Sequence, residues 1–322
     1  MRGLPLKANI PLDMPEKVRR KATSMGEVGR AWLADLQQQV DEFERRWAIK
    51  VGQPMRHGTE AFVANARTRD GLDVVLKIVI PGIDPMRQEL RMLQRANGSG
   101  YAKLICSDEV NNVMLLEKLG PQLYEFQYPE EMQLQVICAT LHKAWMPASK
   151  GLPLTTGADK AIELSRIIDA LWSTLGKPCS ERTIEVAISY AERRRRAFDP
   201  ARSVIAHGDA HQWNTLKAAG TILSFKFIDP DGVHAERAFD LAIPMREWGQ
   251  VMPNGDPLRL GRQRCRLLSE FAGVGRQAIW GWALLQCVSN GLLLRQIGIN
   301  DAAAVEFAMA DAWAAGGDFL CS

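Results

Sequence analysis

The sequence predicts an α+β protein with two lobes, a small five-stranded lobe followed by a larger, mostly helical one. Three observations predict it. Between residues 47 and 119 the apolar residues form short β-branched runs separated by Gly, Asn and Asp. On either side of this region they recur at three- and four-residue steps, as on one face of a helix. The chain has 322 residues, 47% of them hydrophobic, which is enough to build two modest cores.

The first element is a helical N-terminal extension over residues 1–46. Its apolar side chains repeat at helical spacing, which is typical of an amphipathic helix that covers another part of the fold. The extension has no apolar run like the core of a secretory signal, so we expect a protein that is not exported. The repeating side chains are Trp32, Leu33, Leu36, Val40, Phe43 and Trp47.

The second region, residues 47–119, reads as five strands with a helix over residues 85–96 between the third and the fourth. Lys77 stands in the third strand with three apolar residues on each side. A lysine in such surroundings is costly to bury without a counter-ion. The lysine is therefore either paired with a carboxylate or exposed on an edge strand.

The third region, residues 120–322, is predicted to be mostly helical. An irregular span rich in Gly and Asp interrupts the helices between residues 205 and 240. The longest charge-free stretch, residues 277–294, approaches the length of a membrane span, but Gln, Ser, Asn and Gly interrupt it. We therefore expect a buried core helix there.

The charge balance and the cysteine content exclude some classes of protein. Forty Lys and Arg residues against 37 Asp and Glu residues give a formal net charge of +3, which does not indicate nucleic acid or a membrane as a partner. Six cysteines are widely spaced and include no CxxC pair. They are typical of reduced thiols in a cytoplasmic protein.

Three polar residues in the irregular span point to a chemistry. Asp209 and Asn214 are five residues apart, and Asp229 follows the apolar run at 225–228. Phosphoryl transfer requires a carboxylate that orients and deprotonates the attacking hydroxyl, and oxygen ligands for Mg²⁺. The step from Asp209 to Asn214 is the Asp-to-Asn step of kinase catalytic loops, and Asp229 stands where the second metal-binding carboxylate is expected.

Longer motifs around these residues resemble a known family. The chain reads HGDAHQWNTL at 207–216, IDPDGVHAERAFDLA at 228–242 and GRAWLADL at 29–36. These segments resemble the aminoglycoside phosphotransferase branch of the protein-kinase-like superfamily, and within it the streptomycin and hydroxyurea phosphotransferase family. The resemblance covers nearly the whole chain. It implies a bilobal protein-kinase-like fold and an ATP-dependent phosphotransferase that acts on a hydroxyl group.

The resemblance also assigns roles within the irregular span. Asp209 would be the catalytic base, or the group that orients the acceptor hydroxyl. Asn214 and Asp229 would hold Mg²⁺. Asp240 would brace the catalytic loop without touching substrate.

In the strand region the resemblance implies a nucleotide site. Lys77 would contact the α- and β-phosphates and pair with Glu89, with Glu60 as the second choice of partner. The backbone groups of Glu117 and Leu119 would bind the adenine at the hinge between the lobes. Recognition through backbone groups leaves ATP and GTP as alternatives. The lobes would be residues 47–119 for the nucleotide and 120–322 for the catalytic loop and acceptor.

The acceptor is expected to be a small molecule. Gly208 stands where protein kinases have an arginine that clamps a phosphorylated loop, and ten residues between Asp229 and Asp240 are too few for such a loop. An aminoglycoside is polycationic and requires carboxylates, which Asp231, Glu236 and Glu247 could supply. A neutral hydroxylated metabolite fits the sequence about as well.

Some features leave other interpretations open. The segment at 51–60 lacks a complete GxGxxG motif, and His207 and His211 have the spacing of a metal-binding pair. The run ERRRR at 192–196 could bind polyanions, although a solvated helix face is the simpler interpretation. Two further alternatives are a nucleotide-binding regulatory protein without turnover and an RNA- or protein-binding module.

Overall fold

The structure, a computed structural model, describes residues 14–56, 58–82, 85–148, 154–247 and 255–316, without the side chains of residues 85–87. The first 13 residues of the predicted extension, His57 and Cys321 lie outside these ranges. The chain divides into two compact units. The first comprises Met1–Gly98 and Ala102–Lys118, and the second comprises Ser99–Tyr101 and Leu119–Ser322.

The first unit begins with two helices, α1 (Glu16–Ser24) and α2 (Gly26–Arg46). The apolar face predicted for α2 is buried, with Leu36 only 2% exposed and Phe43 completely buried. These side chains form one hydrophobic core with the sheet that follows, through residues such as Phe62. The amphipathic pattern of the extension is therefore explained by its packing against the strands.

After α2, the first unit contains the five predicted strands and the predicted helix between the third and the fourth of them. All neighbouring strands are antiparallel, in the order β1-β2-β3-β5-β4. The chain order of the elements is β1 (Ile49–Pro54), β2 (Ala61–Thr68), β3 (Asp73–Val79), α3 (Pro85–Ala96), β4 (Leu104–Asp108) and β5 (Val113–Glu117).

Lys77 lies on the central strand of this sheet. Its neighbours across the two ladders are Val63 on β2 and Met114 on β5. The alternative of a lysine exposed on an edge strand is therefore wrong. A lysine at the centre of a sheet requires a nearby acceptor for its ammonium group.

The second unit is mostly helical, as predicted, with short strands that frame its loops. One small sheet has the order β10-β7-β6, and β8 pairs with β9 in a second. A 3₁₀ turn at Leu123–Phe126 precedes the first helix. The helices are α4 (Glu130–Ala144), α5 (Gly157–Leu171), α6 (Glu181–Ala197), α7 (Ala238–Arg246), α8 (Pro257–Ala272), α9 (Arg276–Gln296) and α10 (Asn300–Ala315). The strands are β6 (Met146–Pro147), β7 (Val204–Ala206), β8 (Thr215–Lys217), β9 (Phe225–Phe227) and β10 (Val233–Ala235).

Helix α9 contains the long charge-free stretch of the sequence, and it is the central helix of the second unit. Trp280 and Trp282 on this helix are each 1% exposed, and α9 packs against α5, α6, α7 and α10. None of the helices in the described ranges has the length and apolarity needed to cross a bilayer. The prediction of a buried core helix is confirmed.

Candidate active site

Two loops of the second unit carry the residues that the motifs single out. The first joins β7 to β8 and holds Asp209 and Asn214, and the second follows β9 and holds Asp229. Backbone hydrogen bonds tie the loops together, from Ile228 N–H to the Asn214 carbonyl at 3.0 Å and from Asp231 N–H to the His207 carbonyl at 2.8 Å. The short strands therefore bring two segments of the sequence to one place.

The two carboxylate oxygens of Asp209 have different surroundings. Oδ2 lies 3.2 Å from Nε2 of His211 and accepts a hydrogen bond of 3.1 Å from Nδ2 of Asn214. Oδ1 has no hydrogen bond to any described residue, and the side chain is 40% exposed. The carboxylate is thus oriented through one oxygen, and the other can accept a hydrogen bond from a substrate hydroxyl.

The side chain of Asn214 is oriented by the same contacts. Its Nδ2 donates to both the carbonyl and the carboxylate of Asp209, each at 3.1 Å. Both partners are acceptors, so the amide nitrogen must face Asp209 and the amide oxygen must face away. Oδ1 of Asn214 is therefore available as an oxygen ligand.

The residues present fit a Mg²⁺ ion that is coordinated jointly by the protein and by phosphate oxygens. Asn214 offers an amide oxygen, and Asp229 offers a carboxylate on the neighbouring loop. Among the described residues, no group of three His, Cys, Asp or Glu side chains could hold a metal ion by itself. Mg²⁺ typically uses one or two protein carboxylates together with substrate phosphates and water, which is the type of site that two such residues can form.

Asp209 and His211 shift each other's pKa. Burial raises the pKa of Asp209, but the hydrogen bond from His211 and the charges of His211, His207 and Arg246 outweigh it, so the pKa lies below its ordinary value. Burial lowers the pKa of His211, and the hydrogen bond with Asp209 and its charge reverse the effect and raise it. The Asp209 carboxylate is therefore ionised at neutral pH.

The ring nitrogens of the two histidines have separate partners, which rules out a shared metal. His207 accepts the Asp209 N–H on Nδ1 at 3.0 Å, and its Nε2 lies 3.0 Å from the Ile228 carbonyl. His211 accepts the Trp213 N–H on Nδ1 at 3.2 Å, and its Nε2 faces Asp209. The metal-pair alternative is wrong, because both rings brace the loop.

Asp240, at the start of α7, lies beneath the first loop. Its carboxylate accepts the backbone N–H groups of His207 and Gly208 at 2.9 and 2.8 Å and the indole N–H of Trp145 at 2.9 Å. Complete burial raises the pKa of Asp240, and the charge of His207 and these donors act in the opposite direction. The bracing position expected for this residue is what the structure shows.

Gly208 has a structural requirement of its own. Its φ is +94°, and a Cβ there would lie 2.7 Å from Cβ of Asp231. An arginine would therefore not fit this loop conformation.

The carboxyl of Asp231, next to Gly208, has a raised pKa. Loss of hydration and the charge of Asp209 raise the pKa of Asp231 to about 6, and the charge of Lys160 opposes the shift.

Lys77 and Glu89 are joined in the first unit. Nζ of Lys77 lies 2.7 Å from Oε1 and 2.8 Å from Oε2 of Glu89, and the side chains are 12% and 8% exposed. Glu60, the second choice, lies 3.6 Å from Lys21 instead. The first turns of α3 thus place Glu89 against the central strand, where the ammonium group needs an acceptor.

The predicted hinge residues lie where the two units divide along the chain. Glu117 ends β5, and its N–H donates to the Lys103 carbonyl at 2.9 Å while its carboxylate accepts the Lys103 N–H at 2.7 Å. Leu119 is the first residue of the second unit after this strand. The backbone N–H of Glu117 is therefore already engaged by the Lys103 carbonyl.

Other charged groups of the sequence analysis have structural partners. Glu236, named as a carboxylate for a cationic acceptor, pairs with Arg194 at 3.1 Å and accepts the Trp282 indole N–H at 2.8 Å. Arg195 and Arg196 both pair with Glu192. The arginine run is therefore largely neutralised by glutamates, which does not favour a polyanion-binding module.

Sequence reasoning missed Arg246 at the end of α7. Its charge lowers the pKa of Asp209, and it pairs with two carboxylates. The signal available in the sequence was a single arginine that closes a helix whose other residues, apart from Asp240, are apolar, FDLAIPMR at 239–246.

Comparison with known proteins identifies the family of the chain. Residues 46–298 match the family model described as aminoglycoside/hydroxyurea antibiotic resistance kinase. Streptomycin 6-kinase of Streptomyces griseus is 28% identical over 312 residues, covering 95% of this chain and 97% of the relative. Hydroxyurea phosphotransferase of Kitasatospora aureofaciens is 27% identical over 297 residues, covering 88% and 79%.

A solved structure shares the fold. The amicoumacin kinase hAmiN, in complex with AMP-PNP, Ca²⁺ and Ami, aligns with a TM-score of 0.57 at 14% identity, covering 85% of this chain and 92% of that one. The likeness shows that the predicted bilobal kinase-like α+β fold is correct. With the family match over most of its length, the chain belongs to the aminoglycoside/hydroxyurea antibiotic resistance kinase family and is a phosphotransferase acting on hydroxyl groups.

Proposed function

We propose that this protein transfers the γ-phosphoryl group of ATP to a hydroxyl of a streptomycin-like aminoglycoside, with Asp209 as the residue that binds the acceptor hydroxyl. The surroundings of the Asp209 carboxylate carry the proposal. His211 and Asn214 hold Oδ2, and Oδ1 is left for a ligand. A carboxylate fixed in this way can orient one hydroxyl for attack.

In the proposed reaction the acceptor oxygen forms a bond to the γ-phosphorus while the bond from that phosphorus to the β,γ-bridging oxygen breaks. The bridging oxygen keeps the electron pair and leaves as part of ADP. The hydroxyl proton passes to Oδ1 of Asp209. Because the pKa of Asp209 is lowered, the carboxylate is ionised and ready to accept this hydrogen bond. Proton transfer can follow late, since phosphoryl transfer depends mainly on positioning and electrostatics.

Asn214 and Asp229 would hold Mg²⁺ through the Asn214 amide oxygen and the Asp229 carboxylate. The metal ion would neutralise charge on the phosphates and fix their position. The hydrogen bonds from Asn214 to Asp209 would couple the orientation of the metal ligand to that of the acceptor-binding carboxylate. Asp240 supports both by holding the loop backbone.

Lys77 would bind the α- and β-phosphates, with Glu89 fixing its ammonium group. Residues 47–119 would then form the nucleotide lobe and residues 120–322 the acceptor lobe, with the backbone of Glu117 and Leu119 at the adenine. The AMP-PNP named in the amicoumacin kinase structure supports an adenine nucleotide. Dependence on ATP and the free thiols of the described cysteines favour the cytoplasm.

The named substrates of the relatives favour an aminoglycoside acceptor, and hydroxyurea is the second candidate. Asp231 and Glu247 are carboxylates that could attract a cationic acceptor. Asp231 packs against Gly208 in the catalytic loop, and the charge of Glu247 acts on His211.

The test is a screen for acceptor-dependent ADP release. Purified protein with Mg²⁺ and ATP would be given streptomycin, other aminoglycosides, hydroxyurea and neutral polyols, and the products would be analysed by mass spectrometry. We expect a phosphorylated product from streptomycin or a close analogue. The matched control is a derivative of that acceptor in which the hydroxyl found to be phosphorylated is blocked by methylation. Turnover of a neutral polyol alone would contradict the aminoglycoside assignment, and no acceptor-dependent ADP release at all would contradict the reaction.

A further inference from the structure

Trp145 directly follows helix α4, and its side chain has a fixed orientation. Its backbone N–H donates to the Leu141 carbonyl at 2.8 Å, which ties the residue to the helix. The guanidinium group of Arg237 lies over the buried indole ring, 5.1 Å from its centroid. The ring of His142 meets the indole edge-to-face, with the centroids 5.3 Å apart. Because these contacts fix the plane of the ring, they also fix the direction of the indole N–H.

The indole N–H of Trp145 donates to Asp240, which is completely buried. Oδ2 of the carboxylate accepts this N–H and the backbone N–H of His207, both at 2.9 Å, and Oδ1 accepts the N–H of Gly208 at 2.8 Å. Among the described residues, Trp145 thus supplies the donor that lies outside the loop. A buried carboxylate depends on its donors for its charge and its orientation. Without the indole, the Asp240 carboxylate would be held only by the backbone that it has to hold.

The groups that Asp240 holds lead directly to Asp209. His207 is completely buried, and its Nδ1 accepts the backbone N–H of Asp209 at 3.0 Å. Its Nε2 lies 3.0 Å from the Ile228 carbonyl in the second loop. A continuous series of hydrogen bonds therefore joins Trp145 to the backbone that carries the Asp209 carboxylate.

The surroundings of Trp145 allow the indole N–H to be removed by itself. Met146, the next residue, pairs with Ile205 on β7, the strand that leads into the first loop. Phenylalanine in place of the tryptophan keeps an aromatic face for the Arg237 guanidinium group and does not alter this backbone pairing. The hydrogen bond to Asp240 is the polar contact that the substitution removes.

We propose that Trp145 is a positioning residue for phosphoryl transfer, whose indole N–H fixes the Asp240 carboxylate and through it the backbone of Asp209. This inference rests on the proposed function, because the orientation of Asp209 is what the hydrogen bonds serve. Phosphoryl transfer depends mainly on positioning and electrostatics, and a displacement of about 1 Å can cost about 10²-fold in rate. Since Trp145 acts through Asp240, its loss should lower kcat and leave substrate affinity unchanged.

The test compares Trp145→Phe with Trp172→Phe. Trp172 is a matched control, because it also directly follows a helix and donates its indole N–H to a buried acceptor, the Cys179 carbonyl, at 3.1 Å. A cation lies over its ring as well, since Nζ of Lys177 is 4.8 Å from the centroid. Its acceptor lies outside both loops of the candidate site. ADP release is measured with ATP, Mg²⁺ and streptomycin, and Tm is measured for each variant.

We expect Trp145→Phe to lower kcat about 10-fold, with unchanged KM for ATP and for streptomycin. Trp172→Phe should keep the wild-type kcat even if its Tm falls equally. In an Asp209→Asn background, Trp145→Phe should cost little further activity, because the group that it positions is already lost. Amide hydrogen exchange of peptides from the segment 204–216, measured by mass spectrometry, should be about 10-fold faster in Trp145→Phe and unchanged in Trp172→Phe.

Two results would overturn the inference. One is a Trp145→Phe protein with the kcat of Trp172→Phe. The other is a loss of activity that persists in full in the Asp209→Asn background, because Trp145 would then act on some other group. If Trp145→Phe does not fold, benzothienylalanine in place of the tryptophan removes the same N–H and keeps the shape of the indole, and the same measurements decide.

Failure of the proposed function gives a different result. Wild-type protein that releases no ADP with streptomycin or any other acceptor would contradict the proposed reaction. The exchange of the loop amides still reports on Trp145 in that case, because it needs no substrate. Exchange in Trp145→Phe at the wild-type rate would then overturn the inference by itself.

Discussion

The two carboxylate oxygens of Asp209 have different roles. Oδ2 is engaged by His211 and Asn214, and Oδ1 is available to a ligand. The contacts to Oδ2 explain why a histidine and an asparagine stand at set distances along the chain after the aspartate. A carboxylate that could rotate freely would orient an acceptor hydroxyl poorly, and the cost in rate would be large.

Replacement of Asp209 by Asn should therefore affect turnover more than nucleotide binding. The amide can neither accept the hydroxyl proton nor keep the negative charge that His211 pairs with. We expect kcat to fall by at least about 10²-fold, which is the usual contribution of a general base. Affinity for ATP, measured by calorimetry, should change little. A variant with unchanged turnover would contradict the assigned role.

Asp231 predicts a pH dependence of stability. Its pKa of about 6 in the folded protein lies above its ordinary value of 3.8. The folded state thus favours the protonated form, and the stabilising contribution is present below pH 3.8 and lost as the pH rises through about 6.

Asp231→Asn removes this titration. Since the residue is partly exposed, we expect a modest effect, with the variant gaining roughly 1–3 °C in Tm relative to wild type between pH 4 and 7. The measurement is thermal unfolding in EDTA without nucleotide. Asp35→Asn, exposed on α2, is the control. A difference in Tm that does not change with pH would contradict the raised pKa.

At the scale of elements, α2 is part of the core of the first unit. A face of Trp32, Leu36, Val40 and Phe43 packs with the sheet, and the same face was visible in the sequence as a helical repeat. The repeat could not show what the helix covers. The structure shows that it covers the sheet, because its buried side chains share a core with strand residues such as Phe62.

Leu36→Ala should therefore destabilise the protein by about 2–5 kcal/mol, because it removes a buried side chain from a packed core. Chemical denaturation followed by circular dichroism measures the loss. Gln38→Ala on the exposed face of the same helix is the control and should be nearly neutral. Equal midpoints for both variants would mean that α2 does not contribute to the core.

Lys77 lies on β3 and Glu89 on α3, so the packing of this helix against the strand decides whether the two side chains meet. The residues are twelve apart, and Glu60 was an alternative on sequence grounds. The antiparallel register of β3 and the packing of α3 bring Glu89 within 2.7 Å of the ammonium group. Whether such an ion pair forms depends on how the helix is rotated against the sheet. The number of residues between the two side chains does not determine this rotation.

At the scale of the whole molecule, each unit carries a different part of the proposed chemistry. The first unit contains the Lys77–Glu89 pair, and the second contains Asp209, Asn214 and Asp229. The family match spans residues 46–298 and thus includes both sets. The proposed reaction should therefore respond to loss of either set.

Asp229→Ala tests the metal part of this scheme. Without its carboxylate we expect the Mg²⁺-dependent component of ATP affinity to be lost, leaving equal affinities with and without metal in calorimetry. Asp209→Asn is the internal contrast, since it should keep the metal-dependent component. A Mg²⁺ effect of wild-type size in Asp229→Ala would contradict the assignment of Asp229 as a ligand.

The sequence by itself determined the fold class, and it singled out the segments that we propose to carry the chemistry. Strand and helix periodicity follow from local geometry, and the candidate site residues Asp209, Asn214 and Asp229 lie within short contiguous motifs. The tertiary structure alone decided which distant groups meet: Glu89 with Lys77, Glu236 with Arg194, and Arg246 with Glu306. These contacts join residues 12 to 60 positions apart. They depend on how helices pack and rotate against their neighbours, which the spacing of residues along a chain does not fix.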